Sequence, residues 1–134
     1  MRLANRDVQR IYIGLKKIDE APETTLDGEV RVRIGVNLNR LFEHVRVVDK
    51  ETQRLSNQMA LMSQQVNGQK IDTLKLFGLD DELQTILDTV EDFKLKKFRL
   101  EEFKLKQNPK IKAEMLSQIA ILIKDFDDGE SDED

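Results

Sequence analysis

Apolar positions recur at helical spacing over most of the chain. Val8, Ile11, Leu15 and Ile18 follow one another at intervals of three or four, with Tyr12 on their flank, and predict a first helix from about Ala4 to Asp19. Asn5 is suited to cap it, and Asp7 to meet the positive end of its dipole. Ala21-Pro22 disfavours helix, and ETTLDG, residues 23–28, reads as a loop. The longest pattern is Leu38, Leu41, Val45, Val48, Thr52, Leu55, Met59, Met62 and Val66, spaced alternately by three and four with Thr52 the polar intruder. A heptad register of that length predicts one long helix over about residues 29–66 with a narrow, coiled-coil-like seam. Phe42, Val47 and Leu61 add a second apolar shoulder. At about 1.5 Å per residue the helix spans roughly 57 Å, far beyond the ~13 Å radius of a compact body of about 100 residues. It therefore either projects and pairs with another chain or is braced along its length.

Residues 29–36, EVRVRIGV, fit two periods. Val30, Val32, Ile34 and Val36 alternate as in a half-buried strand, whereas Val30, Ile34, Leu38 and Leu41 join the heptad run in phase. The helical reading is preferred, with a kink or a late start near Asn37 as its weak point, because Gly35 and the β-branched residues lower helix propensity.

Asn67-Gly68 is a turn signal, and Ile71, Leu74, Leu76 and Phe77 form a short apolar segment closed by Gly78. Asp80 or Asp81 is placed to cap a third helix ending near Asp92, with Leu83, Ile86, Leu87 and Val90 on one face. In FKLKKFRLEEFKLK, residues 93–106, Phe93 and Leu95 alternate, then Phe98 and Leu100 after a one-residue offset, as a bulged strand would. Asn108-Pro109 offers a cap and first position for a last helix reaching about Lys124. The fold expected is mainly α with a minor strand element near residues 70–76 and 93–103: one helical domain over 1–124, then an acidic, non-periodic stretch, 125–134, expected to be disordered.

Charge alters this picture. The formal net charge is −4, yet residues 125–134 carry seven acids and no base, leaving 22 basic against 19 acidic residues in the remainder. Residues 94–112 hold eight Lys/Arg against two Glu, and residues 55–93 hold seven acids against two Lys. Lys94, Lys96, Lys97, Arg99, Lys104 and Lys106 interleave with Phe93, Phe98 and Phe103, a texture compatible with single-stranded nucleic acid, where bases stack on aromatic rings. The competing and preferred reading is that the phenylalanines are core and the lysines guard an exposed edge. The acidic stretch offers a third possibility, lying on the Lys-rich segment in competition with phosphate.

Candidate chemistry is sparse. There is no cysteine, which excludes disulfides and thiolate metal sites, and no metal or cofactor site is expected. His44 is the single imidazole and has no acid or nucleophile with a local signature beside it. No phosphate-binding glycine loop, nucleophile elbow or H-E-x-x-H pair occurs. Asp80-Asp81 and Glu101-Glu102 read as a helix start and a solvated edge. Catalysis is not expected. With no apolar run long enough for a membrane span or a signal peptide, the expectation is a cytoplasmic protein without membrane contact.

The order of elements resembles that of a group of small helical bacteriophage-encoded proteins: a first helix, a loop with Leu26-Asp27-Gly28, Arg31-x-Arg33 opening a long helix, the segment LDDELQTILDTVEDFKLKKFRL, and a short closing helix. The resemblance covers residues 5–123, and the acidic ending departs from it. It implies a phage or prophage origin, and hence the host-cell cytoplasm, without implying an enzymatic role for any residue. The function expected is a non-enzymatic protein-binding module, acting in particle assembly or by occupying and inhibiting a host protein. Its partner surface would be the seam Leu38, Leu41, Val45, Val48, Leu55, Met59, Met62 and Val66, with a homodimer as the first form to test. The alternative is a nucleic-acid-associated regulator using residues 94–106.

Overall fold

The computed structural model describes residues 1–64 and 72–125. The elements are β1 (Arg2–Ala4), α1 (Asn5–Glu20), α2 (Gly28–Ser63), α3 (Thr73–Asp88), β2 (Val90–Asp92) and α4 (Ala113–Gln118), with 3₁₀ turns at Leu100–Phe103 and Ala120–Leu122. The protein is mainly α, with one small antiparallel sheet in which Arg2 faces Asp92 and Ala4 faces Val90.

The helix α2 is the axis of the molecule, and at about 1.5 Å per residue its 36 residues extend roughly 54 Å. It is continuous through residues 29–36. Val30 and Ile34 are buried while Val32 is 64% exposed, the outcome of the helical period and not of strand alternation. α1 lies antiparallel along the first half of α2, bringing Tyr12 beside Phe42, Asn5 to His44 and Gln9 to Asp49. α3 returns along the second half, where Arg54 reaches Glu82 at 3.6 Å. The long helix is thus braced by two shorter ones laid end to end. Where they meet, the C-terminal carbonyls of α3 face the N-terminal amides of α1, so the two dipoles run head to tail. Asn5 N–H donates to Thr89 O at 3.0 Å, and Asn5 Nδ2 donates to Ile86 O at 2.7 Å. Asn5 is therefore the first residue of α1, which starts without a side-chain cap.

The main core lies between α1, the first half of α2 and the C-terminal segment. Ile11, Leu15, Ile34, Leu41, Phe98 and Phe103 are fully buried there. α4 presses on α1 at Gly14, where an added Cβ would stand 2.7 Å from the Gln118 Cβ and 2.9 Å from the Ile119 Cγ2. Only glycine permits that approach.

Four sequence expectations are corrected. The strand near residues 70–76 is helix from Thr73 onward, because Asp72 rather than Asp80 or Asp81 caps α3, accepting from Lys75 N–H at 3.0 Å; residues 70 and 71, Asn67-Gly68 and Val66 lie outside the described residues. α3 accordingly ends at Asp88 and not near Asp92. The span 93–103 forms no sheet strand: β2, Val90–Asp92, precedes it and pairs with β1, while residues 93–97 are extended chain held by side chains of α2, Phe98 bridges Ile123, and a 3₁₀ turn follows. The last helix starts at Ala113 and not at Pro109, since the Asn108 side chain is engaged elsewhere: it accepts from Thr25 N–H at 2.6 Å and donates to Thr25 O and Phe103 O, each at 2.9 Å. Residues 126–134 are outside the described residues.

Candidate interaction surfaces

Among the described residues, the heptad seam is covered largely from within the chain, and Val66 lies outside them. Leu41, Val45, Val48 and Leu55 are buried, and Leu38, Met59 and Met62 are half-buried. Leu41 and Val45 belong to the main core. Val48 and Leu55 lie outside that cluster, in the half of α2 that α3 covers. A second chain entering this seam would have to displace α1 and α3.

The Lys-rich segment divides by depth. Phe98 and Phe103 are fully buried and pack on each other at 5.3 Å, and Phe93 is half-buried against His44. The rings that base stacking would need are therefore in the core. The backbone of residues 94–97 is held by a row on α2 that sequence reasoning missed. Arg40 donates to Lys94 O, Asn37 donates to Lys96 O at 2.9 Å and accepts from Lys96 N–H at 2.7 Å, and Arg33 donates to Lys97 O at 2.8 Å. The signal available was the spacing of four and three, which puts Arg33, Asn37 and Arg40 on neighbouring turns, with Asn37 in phase with Ile34 and Leu41. Pinned in this way, the segment turns Lys94 and Lys96 to solvent and keeps Leu95 half-buried. Arg99 and Lys106 are exposed as well; Lys97 is half-buried, and Lys104 pairs with Asp27 at 2.8 Å.

Arg33 and Glu102 lock the end of this clamp. Arg33 Nη1 donates to Glu102 Oε1 at 3.0 Å, a second Arg33 nitrogen meets the other carboxylate oxygen, and the guanidinium lies 5.2 Å from the centre of the Phe98 ring. The hydrogen bond to Arg33 holds the Glu102 carboxyl below the usual carboxylate range and, reciprocally, raises Arg33. Arg33 Nε is buried without a hydrogen-bond partner.

His44 sits at the junction of α1, α2 and α3. Its Nε2 is 2.6 Å from Asn5 Oδ1, and its ring meets Phe93 edge to face at 5.1 Å. Those contacts tie helices together and present no nucleophile to the imidazole. Among the described residues no group of three or more His, Asp or Glu could hold a metal ion.

The second half of α2 and α3 form an arm with a different character. No residue of α3 is buried. Leu76, Leu79, Leu83, Ile86 and Leu87 are half-buried at helical spacing, the face turned to α2, while Leu74 is 82% and Phe77 66% exposed. Asp81, seven and four residues on from them, shares that outer face, and Asp80 and Asp81 are both exposed. Leu61, 69% exposed, adds an apolar group near the end of α2.

Among the described residues no helix is long and apolar enough to cross a membrane. The chain matches no protein-family model, and neither a curated protein nor a solved structure proved similar to it.

Proposed function

We propose that the chain is a non-enzymatic protein-binding module whose binding element is the outer face of the α2–α3 arm. The observation that carries this reading is that α3 packs on one side only, leaving Leu74 and Phe77 in solvent beside Asp80 and Asp81. Large apolar side chains that share an exposed face are characteristic of interaction sites. The acidic flank selects a partner that is itself apolar and basic, such as an amphipathic helix with Lys or Arg beside its apolar stripe. A phage-encoded origin, implied by the order of elements, suits a small module of this kind, acting in particle assembly or on a host protein in its cytoplasm.

Selection from a random peptide display library tests it without knowledge of a host. Peptides enriched on the full chain are expected to carry apolar residues at helical spacing with Lys or Arg between them, and to be lost on a Leu74→Ser/Phe77→Ser variant. Equal enrichment on both proteins sinks the reading. Light scattering on the same pair of proteins shows whether the partner is a second copy.

The alternative, association with nucleic acid, is supported by the exposure of Lys94, Lys96, Arg99 and Lys106. It would rest on phosphate contacts alone, since Phe98 and Phe103 are buried. Anisotropy of a labelled single strand would then fall steeply with salt and with Lys94→Glu/Lys96→Glu.

A further inference from the structure

The Lys-rich face carries exposed cations whose side chains make no ion pair among the described residues, although Glu102 lies near Arg99. Lys94, Lys96, Arg99 and Lys106 make no ion pair among the described residues, whereas Lys104, Arg33 and Lys17 have carboxylate partners. The described chain ends beside this face. Phe98 N–H donates to Leu122 O at 2.8 Å, Lys124 N–H donates to Phe98 O at 2.9 Å, and Leu100 N–H donates to the Asp125 carboxylate at 2.9 Å. The described chain thus ends at Asp125 beside Phe98 and Leu100, and residues 126–134 bring six further acids and no base. Nine residues reach at most ~30 Å, more than enough to return across segment 94–106. Asp125, the first acid of the stretch, already accepts a hydrogen bond from the Leu100 backbone N–H, which brings the start of the stretch to the segment.

We infer that the face formed by Lys94, Lys96, Arg99 and Lys106 is a docking site for the chain's own residues 126–134. The attraction is between exposed charges, so it is salt-sensitive and individually weak. Tethering compensates, because an attached segment meets its site at an effective concentration of about millimolar.

The absence of cysteine allows one test on the full chain. Ser131→Cys carries a nitroxide, and line broadening of backbone amides is followed by NMR. At about 10 mM salt, where the Debye length is ~30 Å, the amides of 94–97 and 104–106 are expected to broaden. At about 1 M salt, where it is ~3 Å, the broadening should fall about fivefold or more. A Lys94→Glu/Lys96→Glu/Arg99→Glu variant, altered only at exposed positions, should lose it at low salt. Broadening confined to residues beside Asp125, or equal at both salt concentrations, overturns the inference.

Discussion

Three asparagines, Asn5, Asn37 and Asn108, are the buried polar residues among those described, and each joins chain segments far apart in sequence. Asn37 and Asn108 use the amide alike: the oxygen takes an N–H and the nitrogen gives to the carbonyl of the same residue, Lys96 in one case and Thr25 in the other. A buried peptide left without these partners costs about 1–3 kcal/mol. Asn37→Ala is therefore expected to lower unfolding free energy by about 2 kcal/mol in a denaturant titration, against less than about 0.5 kcal/mol for Asn39→Ala on the exposed face. Equal effects would show that the clamp on Lys96 carries no stability. The Arg33–Glu102 pair adds a pH signature. With its folded-state pKa depressed below 4.5, Glu102 contributes stability that is fully present above that value and is lost as pH falls through the folded pKa. Glu102→Gln should cost about 1–2 kcal/mol at neutral pH, discounted for partial exposure, and the gap to the parent should close at acid pH. A gap that is independent of pH would assign the loss to packing.

At the scale of elements, glycines report how closely helices approach. Gly14 faces α4 with no room for a methyl group, whereas nothing lies within 4 Å of a Cβ built at Gly35 or Gly78. Gly14→Ala should destabilise by about 1–3 kcal/mol through overpacking. Gly35→Ala and Gly78→Ala should each stabilise by about 0.5–1 kcal/mol, the helix-propensity gain at an open position. Thermal unfolding of the three variants separates the cases, and a stabilising Gly14→Ala would remove the close α1–α4 contact. Much of the helical architecture was legible in the sequence, because the periods of α1 and α2 are long and the apolar phase of α2 persists through EVRVRIGV. The ends of α3 and α4 were not. Asp72, Asp80 and Asp81 are equivalent caps by local chemistry, and Asn108 reads as a cap until Thr25 is brought beside it. An extended course was legible for residues 93–97 but the strand expected over 93–103 was not formed: side chains of α2 satisfy a backbone for which a sheet was expected. The same limit governed the candidate surfaces. Lys94 and Lys96 face solvent as alternation implies, while the arm's exposed Leu74 and Phe77 looked like an ordinary apolar segment.

For the whole molecule, the decisive question is what the seam of α2 holds, since one apolar stripe serves either a second chain or the chain itself. Leu41 and Leu55 are both fully buried, but in different surroundings: Leu41 in the main core with α1, Leu55 outside that cluster in the second half of α2, where α3 packs. An aspartate at either place puts a charge where there is no partner, a cost of several kcal/mol. Leu41→Asp should therefore abolish the cooperative fold, because the body has no other core to fall back on. Leu55→Asp should act locally. α3 has no buried residue of its own, so its amides are expected to lose hydrogen-exchange protection while those of α1 keep theirs, the arm opening as a sub-global unit. A seam occupied by a second copy makes the opposite forecast: both variants would stay folded, and the mass would drop from a multiple of 15.6 kDa to 15.6 kDa. Hydrogen exchange and sedimentation on the two variants discriminate between these outcomes. Loss of α3 protection in Leu55→Asp, with α1 intact, would also show that the binding face proposed for α3 depends on its packing against α2.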